Sequence, residues 1–180
     1  MYIQGILTVA CINAIATVGL AVFTGFTGLF SLGHAAFMAI GAYTASVLTH
    51  VYKAPFALAL MAGVLAPVAV GFVVGIPTLR ARLRGDYFAI ATLGFGEAVR
   101  VILENLEITQ GARGLPGITL HTSLPIALVL LVLVVSLARH FLVSKYGRNA
   151  VAVREDAIAA GMVGIRSEEH TSELQSLSHL

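Results

Sequence analysis

Long apolar stretches separated by short polar segments make up most of this chain. Residues 1–52 contain no Asp, Glu, Lys or Arg, and as one helix they would be about 75 Å long, more than a bilayer holds. The stretch must therefore break, and glycines cluster between residues 24 and 33. This pattern predicts one span at Gln4–Phe23 and a second at His34–Tyr52. The apolar piece between them is either a broken segment packed against protein or a tight turn.

Three further apolar stretches complete a prediction of about five spans, at Phe56–Thr78, Tyr87–Leu106 and Leu124–Leu142. In the third span, Gly71 and Gly75 are four residues apart, a spacing typical of close helix packing in membranes.

The fourth span carries most of the unusual chemistry. Glu97, Arg100 and Glu104 recur at helical spacing, so they share one face, and Glu97 and Arg100 are expected to pair. Gly94 and Gly96 lie just before them, and two glycines inside a helix suggest a close approach of another backbone.

Composition excludes several classes of protein. Apolar residues make up 58% of the chain and charged residues 11%, against about 25% in soluble domains, which indicates a membrane protein. A net charge of +2 gives no sign of nucleic-acid binding. Cys11 is the only cysteine, which rules out an internal disulfide framework and a cysteine metal cluster. His34 has no accompanying catalytic or metal-ligating set, so no enzyme activity, cofactor or metal is expected.

Basic residues predict which side of the membrane each loop faces. The two basic clusters are separated by two predicted spans, so they share a side, and an excess of Lys and Arg marks the cytoplasmic side. The clusters are Arg80, Arg82 and Arg84, then Arg139, Lys145, Arg148 and Arg154. The loops at 49–54 and 104–123 then face outward.

A short helix is predicted after the fifth span, in the cytoplasmic segment 146–165. Asp156 can cap a helix at Ala157–Val163, and Gly164 suits the left-handed position that ends it. Ala157, Ala159 and Ala160 are expected to form an exposed small-residue face that a partner could approach. The alternative is an amphipathic helix lying on the membrane.

Three blocks resemble the permease subunits of bacterial ABC importers for branched-chain amino acids, the high-affinity leucine, isoleucine and valine uptake type. They are Gly25–Ala45, Leu83–Arg100 and Gly147–Ile165, with a GARGLPGI loop between the last two. The resemblance covers the chain from about Ile15 to Ile165. It implies an all-α, polytopic transmembrane fold, permease-like and incomplete, with residues 1–165 forming a partial permease domain.

The resemblance also implies a function and partners. A permease of this type moves substrate across the bacterial cytoplasmic (inner) membrane, while separate ATP-binding subunits hydrolyse ATP. A second permease subunit forming a heterodimer, an extracytoplasmic substrate-binding protein and membrane lipid are the other partners. The coupling segment that docks on the ATPase corresponds to Arg154, Glu155, Asp156, Ala159, Ala160 and Gly164. Ile158 stands where importers in general have glutamate. Candidates for the translocation path or for packing are Gly33, His34, Gly94, Gly96, Glu97 and Arg100.

Two readings stay open beside this one. The same architecture could import urea or short amides, and a passive channel or scaffold membrane protein belongs to a different class.

Residues 166–180 contrast with the rest of the chain, and 166–176 resemble the translation of a sequencing adapter. This tail is therefore expected to be non-native and disordered.

Overall fold

The computed structural model of the chain describes residues 2–80, 85–118 and 122–165. Within them the regular structure is helical, with seven α-helices and two short 3-10 turns, at Glu107–Thr109 and Gly111–Arg113. The helices are α1 (Tyr2–Thr27), α2 (His34–His50), α3 (Phe56–Arg80), α4 (Asp86–Asn105), α5 (Leu124–Val143), α6 (Lys145–Glu155) and α7 (Ala157–Met162). Three subjects of the sequence analysis lie outside the described residues: Arg82 and Arg84 of the basic cluster, and the tail 166–180.

Five of these helices correspond to the five predicted apolar stretches. Three of them, α1, α3 and α5, are long and apolar enough to cross a membrane. The first helix runs through Thr27, four residues beyond the predicted end at Phe23. The break between the first two helices is therefore shorter than predicted. It begins at Gly28, which adopts a left-handed φ of 66°. Many large apolar side chains are exposed along the three helices, as expected for surfaces that face lipid.

One compact unit contains α1 together with α5, α6 and α7. The rings of Phe26 and Phe141 meet edge to face with centroids 6.2 Å apart. Because each ring lies near the carboxyl end of its helix, α1 and α5 end on the same side of this unit. The next helix, α6, begins immediately, since the Ser144 hydroxyl accepts a hydrogen bond from the Gly147 N–H at 3.2 Å and caps its first turn.

The second compact unit contains α2, α3 and α4 with the two 3-10 turns. A close helix contact here joins α2 to α3 at two glycines. A Cβ built on Gly41 would lie 2.7 Å from the Gly63 carbonyl oxygen, and one built on Gly63 would lie 3.0 Å from the Gly41 oxygen. Among the described residues, the close-packing seam thus lies at this pair rather than at the predicted Gly71 and Gly75. A Cβ at Gly71 would make an ordinary contact, and one at Gly75 would meet no described atom within 4 Å.

The end of the irregular segment before α2 is anchored on α4 by a polar contact. The buried Thr92 hydroxyl accepts a hydrogen bond from the Leu32 N–H at 3.0 Å and donates one to the Ala89 carbonyl at 3.0 Å. A Cβ on Gly33 would lie only 2.9 Å from the Thr92 carbonyl oxygen. The close approach between this segment and α4 therefore requires glycine at position 33.

Candidate functional site

A cavity of about 430 Å³ lies between α2 and α4 in the second unit. Its apolar wall is made largely of small side chains on α2, and a charged cluster from α4 lines the other side. The lining residues are Leu32, Ala35, Ala36, Ala39, Tyr43, Leu93, Gly96, Glu97, Val99, Arg100, Leu103, Glu104 and Gly111. This volume is within the range of small-molecule sites, roughly 300–1,000 Å³.

The charged cluster of α4 consists of one arginine between two glutamates. Arg100 Nε donates to Glu97 Oε2 at 3.0 Å, and its Nη2 lies 2.5 Å from Glu97 Oε1. On the next turn, Arg100 Nη1 donates to Glu104 Oε1 at 2.9 Å. The expected pairing of Glu97 with Arg100 is present, and Glu104 extends it into a triad with one excess negative charge. More than half of the Arg100 side chain remains exposed, at 58%.

The structure separates the six predicted path or packing residues. Glu97, Arg100 and Gly96 line the cavity, whereas Gly33, His34 and Gly94 do not. Gly33 packs on α4, and His34 is the first residue of α2. The prediction of a close backbone approach at Gly94 is wrong for the described residues, because a Cβ there would meet no atom within 4 Å. At Gly96, a Cβ would find only the Gly33 Cα, at 4.0 Å.

The sequence analysis missed the contribution of α2 to this cavity. Ala35, Ala39 and Tyr43 recur every four residues and therefore share one face of the helix. This stripe was a signal for a close neighbour, but nothing in the local pattern identified α4 as that neighbour. Across the described residues, no group of three His, Cys, Asp or Glu is placed to hold a metal ion.

The segment 146–165 has the predicted short helix, which begins at Ala157 as predicted and ends at Met162, one residue before the predicted Val163. Asp156 Oδ1 accepts a hydrogen bond from the Ala159 N–H at 3.0 Å, which caps α7. Gly164 has a φ of 81°. Its N–H donates to the Gly161 carbonyl at 3.1 Å, and the Ile165 N–H donates to the Ala160 carbonyl at 3.0 Å. This pair of bonds is a Schellman motif, which satisfies the last carbonyls of the helix.

The exposed surface of α7 differs from the prediction at Ala160, and the side chain of Ala157 lies outside what the structure describes. Ala159 is exposed, as expected, but Ala160 is only 4% exposed. The surface instead presents Met162 and Val163, which are 84% and 77% exposed. The carboxyl end of α7 thus forms an apolar patch, made of Ala159, Met162 and Val163, outside the apolar stretches of the chain.

Comparison with known proteins relates this arrangement to transport. Two relatives, from Salmonella typhimurium and Escherichia coli, are described as the high-affinity branched-chain amino acid transport system permease protein LivM. Each is 48% identical to the chain over 114 residues, which is 63% of the chain and 26% of the relative. The matched part thus spans about a quarter of the length of these curated relatives. Among solved structures, none matches the chain significantly.

A family profile matches almost the whole chain. It describes the permease component of branched-chain amino acid transport systems, and the match runs over residues 2–173. With three helices able to cross a bilayer and this match, the chain is a multi-pass membrane protein. It belongs to the family of branched-chain amino acid transport system permease components.

Proposed function

We propose that this chain is part of the permease subunit of an ATP-driven importer that carries branched-chain amino acids across the bacterial cytoplasmic membrane. The observation that carries the proposal is the 48% identity to two permeases of that transport system. In this scheme the chain provides the membrane path and catalyses no reaction. ATP is hydrolysed on separate subunits, a second permease subunit completes the path, and an extracytoplasmic protein delivers the amino acid.

The ATP-binding subunit docks, in this proposal, on the apolar patch of α7. Solvent-facing Met162 and Val163 at the end of a capped helix offer apolar area that a partner can bury. Asp156 and Gly164 fix both ends of the helix, so the patch is held in one conformation before the partner arrives. Ala160 supports this surface from beneath and makes no direct contact with the partner.

The docking proposal is tested with Met162→Glu, built into a complete permease of this family. A charge in the centre of an apolar contact must be desolvated, so we expect a loss of the ATPase from purified membranes at normal permease abundance. Ile108→Glu is the matched control, because Ile108 is 50% exposed and lies in the 3-10 turn predicted to face outward. Retention of the ATPase and of uptake by Met162→Glu would refute docking on this patch.

The cavity between α2 and α4 provides, in the same proposal, a place for the amino acid during passage. Arg100 has five N–H groups, and its contacts to the two glutamates use three of them. One N–H remains on each of Nη1 and Nη2, the arrangement that binds a carboxylate with two hydrogen bonds. A carboxylate oxygen of Glu104 can accept from the ammonium group, and Ala35 and Ala39 adjoin the aliphatic side chain.

Substitutions of the triad test this role. Arg100→Gln and Glu97→Gln are each expected to lower uptake, because the first leaves both glutamates without their cation and the second leaves Arg100 held by Glu104 alone. The double change should cost less than the sum of the two, since either single change already removes the contact between Glu97 and Arg100. Arg113→Gln, at an exposed cation in the 3-10 turn Gly111–Arg113, is the control. Additive losses at Glu97 and Arg100 would show that the pair does not act as a unit.

The substrate distinguishes the alternatives. Urea or a short amide has no carboxylate to bind the free N–H groups of Arg100, so its uptake would be insensitive to Arg100→Lys, whereas amino-acid uptake would fall. A passive channel or scaffold would show neither ATP dependence nor a bound ATPase.

A further inference from the structure

An arginine of the cytoplasmic segment reaches the end of the first helix, 129 residues earlier in the chain. Arg154 Nη1 donates a hydrogen bond to the Gly25 carbonyl oxygen. Since α1 ends at Thr27, the carbonyl of Gly25 belongs to the last turn, which has no helical donors of its own. The guanidinium therefore caps the carboxyl end of α1, where the helix dipole favours a positive charge.

The stem of the same side chain lies against the residue that ends α1. Gly28 adopts a left-handed φ of 66°, and its N–H donates to the Thr24 carbonyl at 3.1 Å. A Cβ on Gly28 would be 2.8 Å from Arg154 Cγ and 3.3 Å from Cδ. Glycine is thus required twice at this position, once by the backbone conformation and once by the arginine stem.

A neighbouring carboxylate orients the guanidinium. Arg154 Nε donates to Glu155 Oε1 at 3.2 Å, and Nη2 forms an ion pair with the same oxygen. The Arg154 side chain is 38% exposed, so the contact is partly shielded from water. Three donor nitrogens are engaged at once, which fixes the plane of the guanidinium and with it the direction of the bond to α1.

The position of Arg154 in the chain links its contact with α1 to helix α7. It is the last residue but one of α6, and Asp156 both ends α6 and caps α7. Two residues therefore separate the anchored side chain from the first residue of α7. We infer that Arg154 is a positioning residue that fastens the α6–α7 junction to the carboxyl end of α1, so that a displacement of α7 is carried to the glycine break after α1. The transmission step rests on the proposed docking of the ATPase on α7, whereas the fastening does not.

A double-mutant cycle tests the fastening in the complete permease purified in mild detergent. Gly28→Ala introduces both backbone strain and a clash with the arginine stem, and we expect it to lower the melting temperature by about 2–8 °C. In an Arg154→Ala background the clash disappears and only the strain remains, so the same substitution should cost clearly less. Strictly additive shifts would overturn the fastening. The melting temperatures in this cycle can be measured with or without a bound ATPase, so the result does not depend on the proposed docking.

The transmission is tested in vesicles that contain the permease with its ATPase. Arg154 belongs to the docking segment predicted from the sequence, but its guanidinium contacts Gly25 and Glu155 and not the apolar patch of α7. We therefore expect Arg154→Ala to leave the ATPase bound while the amino acid imported per ATP hydrolysed falls at least about fivefold. Arg154→Lys keeps the positive charge and a donor and should restore part of that ratio. Arg148→Ala is the control, since Arg148 is an exposed cation on the same helix. An equal ratio in Arg154→Ala and Arg148→Ala would overturn the transmission. Failure of the unaltered permease to bind the ATPase would instead contradict the proposed function.

Discussion

Gly41→Ala is a sharp test of how α2 and α3 hold together. The new Cβ would lie 2.7 Å from the Gly63 carbonyl oxygen, whereas ordinary contacts begin at 3.4 Å. The obstacle is backbone on the facing helix, so no side chain can swing aside. The two helices must separate locally by about 0.7 Å, and overpacking of this kind costs about 1–3 kcal/mol.

The same substitution also has a favourable effect that must be separated out. Replacing glycine by alanine inside a helix stabilises it by up to about 1 kcal/mol. Gly75→Ala on α3 isolates that gain, because a Cβ there would meet no described atom within 4 Å. The difference between the two variants therefore measures the packing cost alone.

Thermal stability in mild detergent, followed by the fraction that stays monodisperse after heating, provides the measurement. Because about 1 kcal/mol corresponds to roughly 2–4 °C in a chain of this size, Gly41→Ala should melt about 2–12 °C below Gly75→Ala. Equal melting temperatures, or a higher one for Gly41→Ala, would refute the close contact between α2 and α3.

Two hydroxyl groups and two positions outside the predicted spans give further predictions. Thr92→Val should destabilise the protein by about 1–3 kcal/mol in a thermal melt, because the part-buried N–H of Leu32 loses its acceptor. Thr24→Val should change the melt little, since the buried Thr24 hydroxyl has no hydrogen-bond partner in the described part of the chain. If both variants melt alike, the Thr92 contact is not significant. In a cysteine-free background, Ile108→Cys should react with an impermeant thiol reagent added outside, and Lys145→Cys only after permeabilisation; the opposite pattern would invert the topology.

Helix positions and helix ends were predictable because they depend on local chemistry. The apolar stretches gave the approximate bounds of the five long helices, and α4 begins at the charged Asp86 and ends at the polar Asn105. The caps of α7 were equally local. A short acceptor side chain at Asp156 and a residue free to adopt positive φ at Gly164 suffice to bound the helix.

Contacts between distant segments were not predictable in the same way. Whether Ala160 is buried or exposed depends on how α7 packs on the rest of the chain, and alanine is compatible with both. The space around Gly94 and the close contact at Gly33 likewise depend on which element packs against each glycine. Arg154 was recognised as part of the cytoplasmic segment, but its bond to Gly25 joins residues far apart in the chain, and no spacing encodes it.

The proline inside α3 bears on how these helices enter the bilayer. Pro67 has no N–H, so the carbonyl four residues earlier, that of Gly63, receives no helical hydrogen bond from it. A carbonyl left bare in hydrocarbon is costly, and this one is covered by the backbone of Gly41. As a separate span α3 would expose that group to lipid, while α2, at 17 residues, is short for a span of its own. The two helices are therefore best inserted together, as a hairpin in which α2 covers the Gly63 carbonyl of α3 and α3 supports the short α2 in the membrane.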